Sequence, residues 1–280
     1  MQDKKIILTK AKLNIFLNVL RKRTDGYHEI RTGITFINLF DKIEIQHDSK
    51  NSISYSGSFQ PENNKYDDCI IKKTFDFLKI NKKNKFKIKI TKNIPVQGGL
   101  GSASTNAAAI IKALEEMNII EKRKPEYYVS LGSDIPCFLF NNDCLAMGIG
   151  EKLISYSFPK YFFLLIKPTF TNSTKKMYEN LKIKNNLFLE NLLYENNIVN
   201  ENDKGNDFEK ILLNQNKEYK KIFNYLESLE KVIFVRMTGS GSCCYAAFEK
   251  KSQAVQALLS FKSKFPNLWS INCENNTINI

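Results

Sequence analysis

Pro95-Val96-Gln97-Gly98-Gly99-Leu100-Gly101-Ser102-Ala103-Ser104-Thr105-Asn106 is the stretch on which the reading of this chain turns. Before it, Phe86, Ile88 and Ile90 alternate with lysines, the period of a strand with one buried face. After it, Ala and Ile recur at helical spacing from Ser104 to Met117. The local order is strand, glycine loop, helix. Small residues at 98, 99 and 101 let a backbone approach a ligand closely, and the unpaired N–H groups and positive dipole end of the following helix attract an anion. A phosphate suits such a cradle. No lysine follows the last glycine as in a Walker loop, and the glycine spacing is not that of a dinucleotide fingerprint. A tight turn onto a packed helix needs the same residues, so the loop alone leaves both readings open.

Outward from this unit, the chain opens as strands at Ile6 to Leu8, Asn14 to Val19 and the alternating Asp41 to Gln46, with a polar turn at Arg21 to Gly26. Tyr66 to Leu78 places Ile70, Ile71, Phe75 and Leu78 at helical spacing behind the acidic pair Asp67 and Asp68, which suits a helix start. After about Lys152 the composition changes. The apolar run Tyr161 to Ile166 reads as a buried strand, and Met177 to Lys231 as helices in at least two pieces around a loop at Asn196 to Gly205. Asn206 followed by Glu209, just before Ile211 to Leu213, resembles a capping box. Val232 to Val235 and Cys243 to Phe248 read as strands joined by a glycine turn at Thr238 to Gly241. A helix over Ala254 to Phe261 and an edge strand from Leu268 complete the chain. The shift in composition divides the chain into residues 1–152 and 153–280.

A chain of 280 residues has room for one large core or two ordinary ones. Its 42 Lys plus Arg against 29 Asp plus Glu leave a net charge of +13, a balance shared by nucleic-acid-binding proteins. Only Arg21, Arg23, Arg31, Arg123 and Arg236 are arginines, and arginine rather than lysine makes bidentate contacts to phosphates and bases. Lysine is spread along the chain with Asn and Ile, which marks an exposed surface rather than a nucleic-acid footprint. The six cysteines show no paired two-residue spacing, and the only histidines are His28 and His47, so no zinc site is expected. No apolar run is long enough to span a bilayer and nothing reads as a secretory signal. The expectation is a reduced, cytoplasmic protein with neither membrane nor nucleic acid as partner.

Four further blocks break the tie over the loop. Ala11-Lys12-Leu13-Asn14, Asp25-Gly26-Tyr27-His28, Leu131-Gly132-Ser133-Asp134-Ile135-Pro136 and Arg236 to Cys243 stand with the loop in the order and approximate spacing of the GHMP kinases, which this chain resembles from Ala11 to Cys243. It is most similar to the branch that phosphorylates a cytidine-diphosphate sugar alcohol in non-mevalonate isoprenoid synthesis. The features behind that narrower likeness are Asp-Gly-Tyr-His, Asn106 in a lengthened loop, and Gly-Ser-Asp-Ile-Pro. Mevalonate and homoserine kinases carry the shorter Gly-Leu-Gly-Ser-Ser-Ala.

The resemblance implies an α+β, two-domain GHMP kinase fold. Its parts are an ATP-binding N-terminal domain of the ribosomal protein S5 domain 2-like kind and a substrate-binding, ferredoxin-like C-terminal domain. It implies ATP with Mg²⁺, Asp134 as the base that takes the hydroxyl proton, and Lys12 beside it as the cation on the transferring phosphate. On the residues alone, Asp134 is equally a helix N-cap before Pro136, and Lys12 an exposed lysine on an edge strand. Residues Pro95, Val96, Gln97, Gly98, Gly99, Leu100, Gly101, Ser102, Ala103, Ser104, Thr105 and Asn106 would hold ATP, with Asp68 and Lys92 near the adenine. Asn14, Tyr27 and His28 would meet the cytidyl substrate, joined by Thr174 and Tyr178, placed by register from Pro168. Gly239 and Ser240 would close over it from the second domain.

Some positions depart from that pattern. Gln97, Ser102 and Ala103 stand where the branch has glycines, and Lys10 where it has proline, so a Cβ at 102 and 103 is expected to narrow the cradle. The metal ligands stay open between Ser104, Thr105 and the phosphates alone. The expected partners are ATP and the cytidine-diphosphate sugar alcohol, the chain itself being a monomer or weak homodimer. Two other readings remain: a small-alcohol GHMP kinase of the mevalonate or homoserine type, and a nucleic-acid-binding module. For the second, the chain offers no aromatic-rich RNA strand motif.

Overall fold

Residues Lys5–Lys22 (β1) and His28–His47 (β2) pair as one long antiparallel hairpin in the computed structural model, which describes residues 4–61, 69–181 and 205–275. The separate strands at Ile6 to Leu8, Asn14 to Val19 and Asp41 to Gln46 are pieces of this ribbon. Register shifts at Lys10/Ala11, Asn14/Phe16 and Val19/Arg21 break the two-residue alternation without ending the pairing. Along its other edge β2 pairs with Phe86–Thr91 (β4) through its second half and Cys144–Gly148 (β5) through its first. Ser52–Ser56 (β3) runs parallel to β4, and Lys152–Ser155 (β6) antiparallel to β5. The order is β3-β4-β2-β5-β6, with β1 on β2.

Helices cover this sheet. Ile70–Phe77 (α1) and Ser102–Glu116 (α2) bury Ile71, Phe75, Ile110 and Leu114 against Ile43, Ile45, Ile88 and Ile90. The first of these helices was expected to begin behind Asp67 and Asp68; the N-cap of α1 is Cys69, whose sulfur accepts the Lys72 N–H, and the two aspartates lie outside the described residues. Ile135–Phe140 (α3) packs on Ile34 and Phe36.

A second, antiparallel sheet is built from Phe162–Lys167 (β7), Phe234–Met237 (β8), Cys244–Phe248 (β9) and Trp269–Glu274 (β10), in the order β10-β7-β9-β8. Its apolar runs do not alternate because both faces are buried. Phe163, Leu165, Tyr245 and Ala247 pack on Ala11, Leu13, Ile37 and Leu39 of the first sheet. Leu164, Ile166, Ala246 and Phe248 pack on Glu209–Gln215 (α5), Lys217–Glu227 (α6) and Lys251–Lys264 (α7). Leu17 and Val19 of β1 join that second core. Between β7 and α5 lies Thr174–Glu179 (α4); most of the loop placed at Asn196 to Gly205 falls outside the described residues.

The expected capping box at Asn206 forms in part. Its Oδ1 accepts from Phe208 N at 3.0 Å, and the Glu209 carboxylate, which accepts from Asn206 N, is shared with Met237 N at 2.7 Å. The backbone of Met237 takes its share because it is buried at the end of β8 and needs a partner. Among the described residues no helix is long and apolar enough to cross a membrane, and all six cysteines are free.

Candidate active site

Lys12 and Asn14 are two residues apart on β1 and so share one face of the strand. Lys12 is only 2% exposed, and its ammonium donates to Asn14 Oδ1 at 2.5 Å and stands 3.6 Å from Asp134 Oδ2. Asp134 immediately precedes α3, yet its side chain makes no capping bond; it faces Lys12 across the cleft, its side chain 38% exposed. The N-cap alternative for Asp134 and the exposed-strand alternative for Lys12 are both contradicted. Strand and helix start bring together two groups that sequence separates by more than a hundred positions.

The glycine loop leads into α2, whose N-cap Gly101 has φ +73. A Cβ there would meet the Phe138 ring at 2.4 Å. Gly99, φ +77, touches the 238–241 turn so closely that a Cβ would lie 2.0 Å from the Thr238 carbonyl oxygen, so only glycine permits the contact. Cys243 N donates to Gly98 O and Lys12 N to Leu100 O, fastening the loop to both sheets. Two cavities meet here. The larger, about 690 Å³, is lined by 96–104 and Asn106 with Tyr55, Ile70, Ile90 and Lys92. The smaller, about 270 Å³, holds Lys12, Asn14, Asp134, Tyr178, Gly239 and Ser240. Gln97 and Gly99 line both, so the loop is the partition between them.

Several loop side chains turn inward. The Lys92 ammonium is paired with the fully buried Asp41 and donates to Ser102 Oγ at 2.5 Å and Asn106 Oδ1 at 2.8 Å. Burial lowers the Lys92 pKa, and the Asp41 charge opposes that. Lys92 therefore forms part of the cavity wall with its charge already satisfied, not as a free cation for the nucleotide. Ser102 stays in the cavity wall with its hydroxyl bonded to Lys92 Nζ and Ile94 O; Ala103 is exposed at the wall. Pro95 and Thr105 are buried and do not reach the wall, and Asp68 lies outside the described residues. Gln97 adopts φ +53, a conformation a glycine takes freely and other residues at a cost on the order of 1–2 kcal/mol.

On the acceptor side, Asn14 is a hub. Its Oδ1 receives Lys12 Nζ, Gly239 N at 2.8 Å and Thr238 Oγ1 at 3.2 Å, and its Nδ2 donates to Thr32 Oγ1 at 2.8 Å. Thr174 and Ser240 join their hydroxyls at 2.8 Å. His28 stacks on Tyr178 with ring centres 4.5 Å apart, and burial lowers the imidazole pKa, which leaves a neutral ring with one donor and one acceptor at pH 7. Tyr27 is 55% exposed at the tip of the hairpin, outside the cavity wall. The turn that carries it is held by the Arg23–Asp25 pair and by Arg23 N on Tyr27 O.

Residues the sequence did not flag also line the cavity, among them Thr32, Asn172 and Phe208, and Ser133 of the Gly-Ser-Asp-Ile-Pro block joins them. Behind it, burial pushes the Glu209 carboxyl up to about 7, with the bond from Met237 N pulling the other way. That folded value exceeds the unfolded value of about 4.3, so the contribution of Glu209 to stability is full near pH 4 and is lost as pH rises through about 7. Glu209→Gln keeps an acceptor for Met237 N and removes the titration. Its denaturation midpoint is expected to rise relative to the unmodified chain between about pH 5 and pH 8, with no gain at the acid end.

Among the described residues no group of three or more His, Cys, Asp or Glu side chains is placed to hold a metal. Asp134 and the Ser104 hydroxyl are among the oxygen donors lining the cleft, and such donors suit a hard cation bound mainly through phosphates and water.

Comparison with known proteins agrees with this geometry. The pattern of the GHMP kinases N terminal domain matches residues 69–141, and that of the GHMP kinases C terminal domain residues 188–267. The 4-diphosphocytidyl-2-C-methyl-D-erythritol kinase of Francisella philomiragia is 32% identical over 95% of this chain and 94% of its own length. That of Pelagibacter ubique is 32% identical over 97% of this chain and 98% of its own. A crystal structure of 4-(cytidine 5'-diphospho)-2C-methyl-D-erythritol kinase shares the fold with a TM-score of 0.75, at 24% identity, over 98% of this chain and 100% of that one. With both domain patterns matched and relatives aligned along nearly the whole length, this chain belongs to the GHMP kinases, in the 4-diphosphocytidyl-2-C-methyl-D-erythritol kinase family.

Proposed function

We propose that the protein transfers the terminal phosphoryl group of ATP to the 2-hydroxyl of 4-diphosphocytidyl-2-C-methyl-D-erythritol, a step of non-mevalonate isoprenoid precursor synthesis. The observation that carries the mechanism is the Lys12–Asp134 pair beside a glycine loop that separates two cavities while lining both. ATP occupies the larger cavity, with its phosphates against the N–H groups at the start of α2 and its base among Tyr55, Ile70, Ile90 and Val96. The acceptor alcohol occupies the smaller. Asp134 takes the hydroxyl proton as the oxygen attacks, and the Lys12 ammonium offsets the charge on the phosphoryl group in flight. Asp134 and Ser104 would help to hold Mg²⁺ bound through the triphosphate, and the ion would neutralise phosphate charge.

The cytidine end runs toward His28 and Tyr178, with Tyr27 at the mouth. Residues 1–152 supply the nucleotide cavity. The acceptor cavity draws on both halves, with Asn172, Thr174, Tyr178, Gly239 and Ser240 from residues 153–280. Action as a monomer or weak homodimer is part of this reading, and six cysteines outside any disulfide suit a cytoplasmic setting.

The test is ADP release by the purified protein with Mg²⁺ATP and each of 4-diphosphocytidyl-2-C-methyl-D-erythritol, mevalonate and homoserine. Release is expected with the cytidyl substrate and not with the other two. Turnover of mevalonate or homoserine at a comparable kcat/KM would replace the cytidyl assignment.

A further inference from the structure

Asn206 to Glu209 form a segment that the chemistry above does not use, yet all four side chains end on supports of the acceptor cavity. Asn206 Oδ1 accepts from Phe208 N at 3.0 Å, which turns its Nδ2 toward the 238–241 turn, where it donates to Met237 O at 2.9 Å and Gly239 O at 2.8 Å. Asp207 Oδ2 accepts from Val19 N at 2.6 Å. The Phe208 ring meets Tyr178 edge-on at 4.9 Å, and Glu209 holds Met237 N. Backbone bonds lace the same segment to the hairpin: Leu17 N donates to Gly205 O, and Asp207 N to Leu17 O.

The peptides on both sides of Gly239 are thereby fixed from opposite directions. Its N–H goes to Asn14 Oδ1 and its carbonyl to Asn206 Nδ2. Asn14 Oδ1 is also the acceptor of the Lys12 ammonium. A continuous run of hydrogen bonds thus links Asn206, Gly239, Asn14 and Lys12. We propose that Asn206 is a positioning residue for phosphoryl transfer, setting the Lys12 ammonium and the floor of the acceptor cavity by way of Gly239 and Asn14. This deepens the kinase reading and rests on it.

The residue type follows from the geometry. One acceptor must face Phe208 N while two N–H donors diverge to two carbonyls, which the Asn carboxamide provides at this reach. Asp has the same shape and no donors, so it would set a charged oxygen against two carbonyl oxygens. Asn206 is 5% exposed, so water does not replace the lost bonds.

The experiment compares the full-length protein with Asn206→Asp and Asn206→Ala, by steady-state kinetics on ATP and the cytidyl substrate and by amide hydrogen exchange. The expected result is a kcat lower by about 10–100-fold with the KM for ATP within about twofold. The amides of residues 238–242 should exchange faster while those of α2 and β9 keep their protection. A folded variant with kcat within about threefold of the unmodified chain overturns the proposal. So does a loss of protection throughout, or failure of both variants to fold, since Asn206 would then be a residue of the fold and not of the site. Exchange at the turn is read without turnover: if the unmodified chain does not phosphorylate the cytidyl substrate, the kinase reading fails separately from the turn-positioning result.

Discussion

Asp134→Asn is expected to cut kcat by about 10²–10⁴-fold, the range associated with removal of a general base. The size of the effect rests on geometry. Asp134 Oδ2 lies 3.6 Å from the Lys12 ammonium at the junction of the cavities, and no other carboxylate lines the acceptor cavity among the described residues. The substitution spares the fold for an equally specific reason. As the residue before α3, Asp134 makes no side-chain cap bond, and its half-exposed ion pair with Lys12 contributes on the order of 1 kcal/mol or less. Lys12 keeps its bond to Asn14 in the variant. Thermal denaturation beside the ADP-release assay separates the two effects; a variant retaining near-normal turnover would remove Asp134 from the role of base. Asn14 is a weaker subject for the same experiment, because its Oδ1 holds Gly239 and Thr238 as well as Lys12, and its loss mixes chemistry with structure.

Asp41→Asn is expected to destabilise the protein by about 3–5 kcal/mol, the cost of breaking one partner out of a buried ion pair. Asp41 is fully buried and accepts at both oxygens. Oδ1 receives Asn93 N and Ile94 N at 2.7 and 2.8 Å, while Oδ2 receives the Lys92 ammonium and Asn106 Nδ2. A carboxamide has one acceptor oxygen, so either orientation sets an NH₂ group against donors that have nowhere else to turn. The double variant Asp41→Asn with Lys92→Gln restores an acceptor opposite the new NH₂ group and removes the stranded cation. It is expected to recover more than half of the loss, read as the urea midpoint at constant m-value. A single-variant loss below about 1 kcal/mol would show the pair to be replaceable by solvent. The network binds β2 to the strand exit at Ile94 and to the first turn of α2, so the single variant should also weaken ATP binding.

Why some of this was legible and some was not follows from particular residues. The glycine loop announced itself because a backbone that must touch another backbone leaves a visible demand for glycine, as the Gly99 contact with Thr238 makes plain. Lys12 and Asp134 were identifiable only through family resemblance, since nothing local distinguishes Lys12 from its many surface counterparts. The pairing of Lys92, which does line the larger cavity, with Asp41 was hidden for the same reason. In a chain with 42 cationic side chains, a fully satisfied internal lysine looks like all the others, and its counterion Asp41 sits far away in sequence on an alternating strand. The capping-box spacing at Asn206 and Glu209 was real as a pattern, but both side chains also serve the buried backbone around Met237, a tertiary demand no local motif records. Strands β5 and β6 escaped notice because they are short, and β3 because it lies at the sheet edge with mixed exposure.

The hairpin strand β1 carries one further implication, for inheritance rather than catalysis. Its early residues Ala11 and Leu13 lie between the sheets, while Leu17 and Val19 belong to the core under the second sheet and bond to the backbone and side chains of 205–207. The strand thus contributes to packing on both sides of the division near residue 152. Homologous halves exchanged at that point would separate Lys5–Lys22 from the 205–239 surface it packs against. A recombinant that respects the fold has to transmit the two together.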